Sequence, residues 1–132
     1  MSEFSVKKIM IVEDDPVNQK VMQRLVKILG HEIIALNDGY EVIGRIRAER
    51  PDLILMDIQL IEISGIDITR RIKEDEQLKS IPVIAVTASA MLQDREKVLR
   101  ESKSDDYLEK PFSPKELGEK IARFFPVKKV DL

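Results

Sequence analysis

The chain of 132 residues contains no cysteine and no tryptophan, and it has a single histidine. Without cysteine it has no disulfide framework. No apolar run approaches the roughly 18 residues that a membrane-spanning helix needs, and residues 1–8 lack the apolar segment of a signal peptide. These absences favour a cytoplasmic protein that does not insert into a membrane.

An excess of charge of one sign is also missing, because 22 basic residues nearly balance 24 acidic ones and leave a net charge of −2. Such a chain, with no dense Lys/Arg cluster, has no field to attract a nucleic-acid backbone. Direct nucleic-acid binding is therefore disfavoured. A composition with 43% apolar and 35% charged residues is typical of a globular protein. The length predicts a single domain over residues 1–132, with its core at about 7–125 and a frayed tail at 126–132.

The sequence does contain a regular alternation of short apolar runs and longer helical stretches. Because the runs are continuous rather than alternating with polar residues, both faces of the sheet are expected to be covered by helices, as in parallel sheets. The pattern predicts an α/β fold with a doubly wound, five-stranded parallel sheet. The predicted strands are 9–12, 33–36, 53–56, 83–86 and a weaker one at Tyr107 and Leu108.

Capping residues and apolar periodicity predict the helices between these strands. The first helix has apolar residues with a 3.6-residue period from Val17 to Leu29, with Pro16 in its first turn, Asp15 as its cap and Gly30 as its stop. A loosely held helix is expected over 91–101. The other caps and approximate helix ends are Asp38 to Ala48, Ser64 to Asp75, and Ser113 to Phe125.

Polar residues follow the predicted strands at the point where each strand ends. In an open parallel sheet, ligands bind outside the carboxyl ends of the strands. Crowded carboxylates are kept ionised by a divalent cation or a fixed lysine, and a set of oxygen ligands suits magnesium and excludes zinc. A carboxylate in such a site can act as nucleophile toward a phosphoryl donor, and Asp57 is the candidate. The strand-end residues are Glu13, Asp14, Asp15, Asp57, Thr87 and Lys110.

Four stretches in this order and at these separations resemble the receiver domain of two-component signalling, which has a CheY-like, flavodoxin-like (βα)5 fold. The resemblance runs from about Lys7 to Phe125 and is closest to stand-alone receivers of the DivK type and to receivers attached to hybrid histidine kinases. The Met1 leader and the short tail favour a free-standing protein. The stretches are IMIVEDDPVNQ, DLILMDIQL, PVIAVTASA and DDYLEKPF.

The resemblance implies a phosphoacceptor site that depends on Mg²⁺, with Mn²⁺ as a substitute. Asp57 would accept the phosphoryl group and also bind the metal. Asp14 would bind the metal directly, Glu13 through water, and Gln59 through its backbone carbonyl. The chain would catalyse its own phosphorylation and dephosphorylation without turning over a free substrate, so it would be a signalling module rather than an enzyme.

The remaining site residues implied by the resemblance hold the phosphoryl oxygens or respond to them. Lys110, the Thr87 hydroxyl and the backbone N–H of Ala88 would contact those oxygens. Tyr107 would be an aromatic switch that turns into space vacated by Thr87 and reshapes the face formed by the fourth helix, fifth strand and fifth helix. The Lys110–Pro111 bond resembles one that is often cis in the family.

A sensor histidine kinase or a histidine phosphotransferase is the upstream partner that the resemblance implies, and a protein target lies downstream. The upstream partner must reach Asp57 past helix 1 and the loop after strand five. The predicted docking patch consists of Asn18, Val21, Met22, Pro111 and Phe112.

Two departures from the family and two alternative functions stay open. Ile61 stands where the family usually has proline, and Lys103 where it usually has glycine or another small residue. A phosphatase of the haloacid-dehalogenase kind also uses an aspartate nucleophile, but its DxD motif follows strand one, whereas Gln59 stands two residues after Asp57. The other alternative is a pseudo-receiver scaffold.

His31 is interpreted as a turn residue, and Phe124 and Phe125 as part of a core-facing helix.

Overall fold

The computed structural model describes residues 5–88 and 92–125. The predicted frayed tail at 126–132 and Met91, the predicted start of the fourth helix, lie outside the described residues.

The described chain forms one parallel sheet, which confirms the predicted fold class. The strands are β1 Lys8–Val12, β2 Glu32–Leu36, β3 Leu53–Asp57, β4 Val83–Thr87 and β5 Asp106–Glu109. Their order is β2-β1-β3-β4-β5, and every neighbouring pair is parallel. The chain moves outward in one direction from β1 and in the other from β3, which creates a crevice at the carboxyl ends of these two strands.

Helices cover both faces of the sheet: α1 Pro16–Ile28, α2 Val42–Glu49, α3 Gly65–Glu74, α4 Leu92–Ser102 and α5 Pro114–Phe124. Successive strand residues point to opposite faces, so Ile9 and Ile11 pack in the cluster that contains α1 and α5 residues. Met10 and Val12 pack in the cluster that contains α2 and α3 residues. Both faces are therefore apolar, which accounts for the continuous apolar runs in the sequence.

The helix caps agree with the sequence except at α2. Asp15, Ser64 and Ser113 each accept a hydrogen bond from the first turn of their helix. The prediction of Asp38 as the α2 cap was wrong, because a turn lies between it and the helix, whose N-cap is Glu41. The Asp38 carboxylate instead accepts hydrogen bonds from the backbone N–H groups of Tyr40 and Glu41, at 2.9 and 3.3 Å.

Helix α1 contains a buried polar residue that its apolar pattern does not reveal. The Gln19 side-chain amide is buried and donates to the backbone carbonyls of Ile11, Glu13 and Leu36. It ties the helix to the carboxyl ends of β1 and β2. Val17, although it fits the apolar period, is exposed.

Candidate functional site

Three carboxylates meet at the carboxyl ends of β1 and β3. Asp57 is the last residue of β3, and Glu13 and Asp14 directly follow β1. Val12 pairs with Met56 across the two strands, so the residues that follow them lie side by side. One carboxylate oxygen from each of Glu13, Asp14 and Asp57 lies within 4.8 Å of the others. Glu13 and Asp57 are buried, with 1% and 4% of their surface exposed, whereas Asp14 is half-buried.

Lys110 brings one ammonium group to this cluster from the loop after β5. Its Nζ lies 2.5 Å from Glu13 Oε1 and 3.5 Å from Asp57 Oδ2. The Lys110 backbone N–H donates to the Thr87 carbonyl at 2.7 Å, which fixes the start of the loop against β4. The Lys110–Pro111 bond is cis, as the resemblance implied. This ammonium pairs with two of the three carboxylates, so the ionised cluster retains negative charge.

Burial and neighbouring charges shift the pKa of Glu13 and the pKa of Lys110. Burial raises the pKa of Glu13, and its hydrogen bond with Asp57 adds to that shift, while Lys110 opposes it. For Lys110, burial lowers the pKa, but the neighbouring Glu13 and Asp57 outweigh burial and leave the pKa raised. Lys110 is thus held in its charged form, and its attraction does not cancel the rise in the Glu13 pKa.

The loop after β3 orients two of the three carboxylates. Asp57 Oδ1 accepts from the Gln59 backbone N–H at 2.9 Å. Asp14 Oδ2 accepts from the Ile61 backbone N–H at 2.7 Å. Gly65 allows α3 to begin close to the end of β3, because a Cβ atom there would overlap the Asp57 carbonyl oxygen. Sequence reasoning identified neither Ile61 nor Gly65 as a residue that shapes the site.

Thr87 is the last residue of β4 and Tyr107 is the second residue of β5, and both are buried. Burial raises the pKa of Tyr107, and a hydrogen bond with the Thr87 side chain partly offsets that rise. The Arg95 guanidinium of α4 lies over the Tyr107 ring, 5.1 Å from its centroid. Tyr107 is thus buried beside Thr87, the residue with which the predicted switch pairs it. Ala88, the predicted backbone donor, directly follows Thr87 and is exposed.

Four of the five predicted docking residues have exposed surface beside the site. Val21 is 52% exposed, Pro111 is exposed, and Asn18 and Phe112 are half-buried. The prediction for Met22 was wrong: it is 2% exposed and packs in the core beneath α1, so a partner could not contact it. On a helix the residue next to an exposed one can face the core, and an apolar pattern alone does not separate the two.

The donor set of the cluster fits a hard divalent cation. It offers carboxylate oxygens, and magnesium is bound through one or two carboxylates together with water or phosphate oxygens. Over residues 5–88 and 92–125 it is the one group of three or more acidic, histidine or cysteine side chains close enough to share a metal ion. In that same part of the chain, each helix is too short or too polar to cross a membrane.

Four further residues singled out in the sequence, His31, Phe124, Phe125 and Lys103, lie away from the carboxylate cluster. His31 follows the turn at Leu29 and Gly30 and directly precedes β2, and its Nδ1 accepts from the Lys7 backbone N–H at 3.1 Å, at the opposite edge of the sheet. Phe124 and Phe125 are partly buried against the cluster beneath α1 and α5. Lys103 has a positive φ of 62°, the conformation that glycine adopts most readily.

Comparison with known proteins gives consistent matches along the chain. The family model described as the response regulator receiver domain matches residues 9–122. The polar-differentiation response regulator DivK of Brucella anthropi is 47% identical over 107 residues, which cover 81% of this chain and 86% of that protein.

Solved structures give the same result. The receiver domain of a sensor histidine kinase from Pseudomonas aeruginosa has a TM-score of 0.82 and 37% identity, with 91% of this chain and 98% of that chain covered. That structure has a magnesium ion coordinated in its active-site cleft. A chemotaxis response regulator of Vibrio cholerae, at 20% identity and a TM-score of 0.81, covers 91% of this chain and 99% of its own and shows the shared fold.

Proposed function

Since the chain belongs to the response regulator receiver family, we propose that it is the phosphoacceptor of a two-component or phosphorelay pathway. It takes a phosphoryl group from a phosphohistidine of a sensor kinase or phosphotransferase and signals by changing its protein contacts. In this proposal the chain acts as one domain, in the cytoplasm, and does not bind nucleic acid. The cluster of Asp57, Asp14, Glu13 and Lys110 is the observation that supports it most directly.

Asp57 is the proposed nucleophile. One of its carboxylate oxygens forms a bond to phosphorus, the phosphorus–nitrogen bond to the donor imidazole breaks, and its electron pair leaves with the imidazole. The product is an acyl phosphate on Asp57. The hydrogen bond from the Gln59 N–H to Oδ1 restricts rotation of the carboxylate and leaves Oδ2, which faces Lys110, as the candidate attacking oxygen.

The Lys110 ammonium is proposed to move toward the phosphoryl group when that group is transferred to Asp57. Its Nζ is nearer to Glu13 than to Asp57, by 2.5 against 3.5 Å. A phosphoryl group on Asp57 would add acceptor oxygens, to which the ammonium could shift within the length of its side chain. The Thr87 hydroxyl and the Ala88 backbone N–H are proposed as the other donors to those oxygens.

The same cluster is proposed to hold Mg²⁺, or Mn²⁺ as a substitute. Asp14 and Asp57 would bind it directly, Gln59 through its backbone carbonyl and Glu13 through water. A bound ion would supply positive charge that offsets the charge on the transferring phosphoryl oxygens. The negative charge that Lys110 leaves uncompensated supports this assignment.

Output is proposed to pass through Thr87 and Tyr107 to the face formed by α4, β5 and α5. Tyr107 is buried beside Thr87, and phosphorylation is proposed to let its ring turn into space that Thr87 vacates. It would draw the Thr87 hydroxyl toward the phosphoryl group and so alter the balance between existing arrangements of α4, which Arg95 links to Tyr107. A downstream protein would recognise the altered face.

The proposed donor-docking patch is Asn18, Val21, Pro111 and Phe112, without Met22. These residues belong to α1 and to the loop after Lys110, the two segments beside Asp57. A phosphatase of the haloacid-dehalogenase kind gains no support, because the nucleophile candidate ends β3 rather than β1. The alternative of a pseudo-receiver scaffold gains no support either, because the carboxylates and the lysine lie together at the ends of the strands.

The test is incubation with acetyl phosphate, with and without Mg²⁺, followed by intact mass measurement. The expected result is one added phosphoryl group, dependent on Mg²⁺ and absent in Asp57→Asn. Asp15→Asn is a matched control, because Asp15 caps α1 beside the cluster but is exposed. Equal labelling of Asp57→Asn and the wild type would contradict the proposal.

A further inference from the structure

The loop after β3 makes a bond to the site through the backbone of an exposed residue. The Ile61 N–H donates to Asp14 Oδ2 at 2.7 Å, across 47 residues of sequence. The Ile61 side chain is 87% exposed. The backbone group of this residue, rather than its side chain, is therefore what links the loop to the end of β1.

This bond depends on the residue type at position 61. Proline, which the family usually has there, carries no N–H and could not donate to Asp14. Isoleucine supplies the donor, and any other non-proline residue would do so as well. The departure from the family pattern thus adds a hydrogen bond to a carboxylate of the proposed metal site.

The hydrogen bond leaves Asp14 within the cluster. While Oδ2 is bonded to Ile61, an Asp14 oxygen still lies within 4.8 Å of oxygens of Glu13 and Asp57. Asp14 is also the most exposed of the three carboxylates. Its side chain therefore has the most conformational freedom, which it would lose on binding a cation. Outer hydrogen bonds to a ligating carboxylate fix its orientation, and their loss typically lowers metal affinity by roughly 10- to 100-fold.

We infer that the Ile61 backbone N–H is a positioning group that holds Asp14 ready for a divalent cation and thereby raises the affinity of the cluster for Mg²⁺. The inference rests on the proposed function, because it assumes that the cluster binds this ion. It assigns to position 61 a role that the side chain does not perform.

The test is a Mg²⁺ titration of three proteins, followed by amide NMR shifts of residues around Asp57. Ile61→Pro removes the donor, and Ile61→Ala keeps it while removing most of the exposed side chain. We expect Ile61→Ala to bind Mg²⁺ as the wild type does and Ile61→Pro to bind about tenfold more weakly. Equal or tighter binding by Ile61→Pro, or equal weakening in Ile61→Ala, would overturn the inference.

A second measurement needs neither metal nor the proline variant. In metal-free wild type the Ile61 amide should exchange with solvent more slowly than an open loop amide, and Asp14→Ala should remove that protection. Fast exchange of the wild-type amide would overturn the inference even if Ile61→Pro did not fold. If the wild type fails to bind Mg²⁺, the metal site of the proposed function fails too, whereas equal binding by wild type and Ile61→Pro removes the inference alone.

Discussion

Buried charges are balanced differently at the two edges of the sheet, where the strands end and where they begin. At the carboxyl edge, the carboxylates of Glu13, Asp14 and Asp57 lie together, and Lys110 pairs with Glu13 and Asp57. At the amino edge, the buried ammonium of Lys73 has a matched partner. Lys73 of α3, with 8% of its side chain exposed, lies 2.5 Å from Asp105 Oδ2 and donates to the carbonyls of Ile81 and Lys79.

The amino edge also uses carboxylates to hold strand ends together. Asp105 Oδ2 accepts from the Val83 backbone N–H at 2.7 Å, and Asp52 Oδ2 accepts from the Lys8 backbone N–H at 2.8 Å. Each carboxylate thus ties the segment before one strand to the first residue of its neighbour. We conclude that charges at this edge stabilise the fold, whereas those at the carboxyl edge are left undercompensated and are available to bind a cation and a phosphoryl group.

The largest expected change in stability comes from Lys73→Met. It removes the cation and leaves Asp105 and two carbonyls without this donor, so the free energy of unfolding should fall by about 3 kcal/mol. Lys79→Met is the control, because the Lys79–Glu76 pair is exposed and should contribute within about 0.5 kcal/mol. Urea unfolding measures both. Equal, small effects would remove the distinction between the edges.

The carboxyl edge should instead respond to Mg²⁺. Binding to the native state alone stabilises it by mass action, by about 1.4 kcal/mol at ten times the dissociation constant. Asp14→Ala should abolish the rise in the thermal midpoint, while Asp52→Ala at the amino edge should lower the midpoint but keep the rise. If the midpoint does not change with Mg²⁺, the carboxylates do not form the proposed site.

The backbone of Lys103 is strained, although this residue lies at the amino edge, where the charges stabilise the fold. Its φ of 62° is unfavourable for a residue with a Cβ atom, so Lys103→Gly should raise the free energy of unfolding by about 0.5 kcal/mol. The variant also loses an exposed pair with Glu74, which Glu74→Ala measures separately. A loss of stability in Lys103→Gly larger than that in Glu74→Ala would show that the backbone strain is not significant.

The smallest effect is expected at His31. Burial lowers its pKa, Lys7 adds to the shift, and Asp52 partly opposes it, so the folded state favours the neutral imidazole. The stability that this contributes is present above the ordinary pKa of 6.5 and is lost as pH falls toward the lowered folded value. Thermal midpoints should therefore fall less steeply in His31→Asn than in the wild type below that pKa. Parallel profiles would contradict this prediction.

Sequence patterns predicted the five strands and three helix caps, because apolar runs and capping residues act locally. They also predicted which residues end the strands, since parallel topology brings those ends together. Features that depend on three-dimensional contacts were missed. Gln19 is polar inside an apolar helix pattern, and the Ile61 contribution comes from a backbone N–H. Met22 was predicted as a docking residue together with Val21, but these adjacent helix positions face different ways, and Met22 faces the core.

The most direct test of the division between edges compares one substitution at each, Asp57→Asn and Asp105→Asn, in buffer free of divalent cations. The measured quantity is the free energy of unfolding in urea. Asp57→Asn removes a buried negative charge that neighbours Glu13, and Lys110 keeps Glu13 as its partner, so stability should be unchanged or higher. Asp105→Asn leaves the buried Lys73 without a counter-charge and should lower stability by about 2–3 kcal/mol. A loss in Asp57→Asn as large as that in Asp105→Asn would contradict the account.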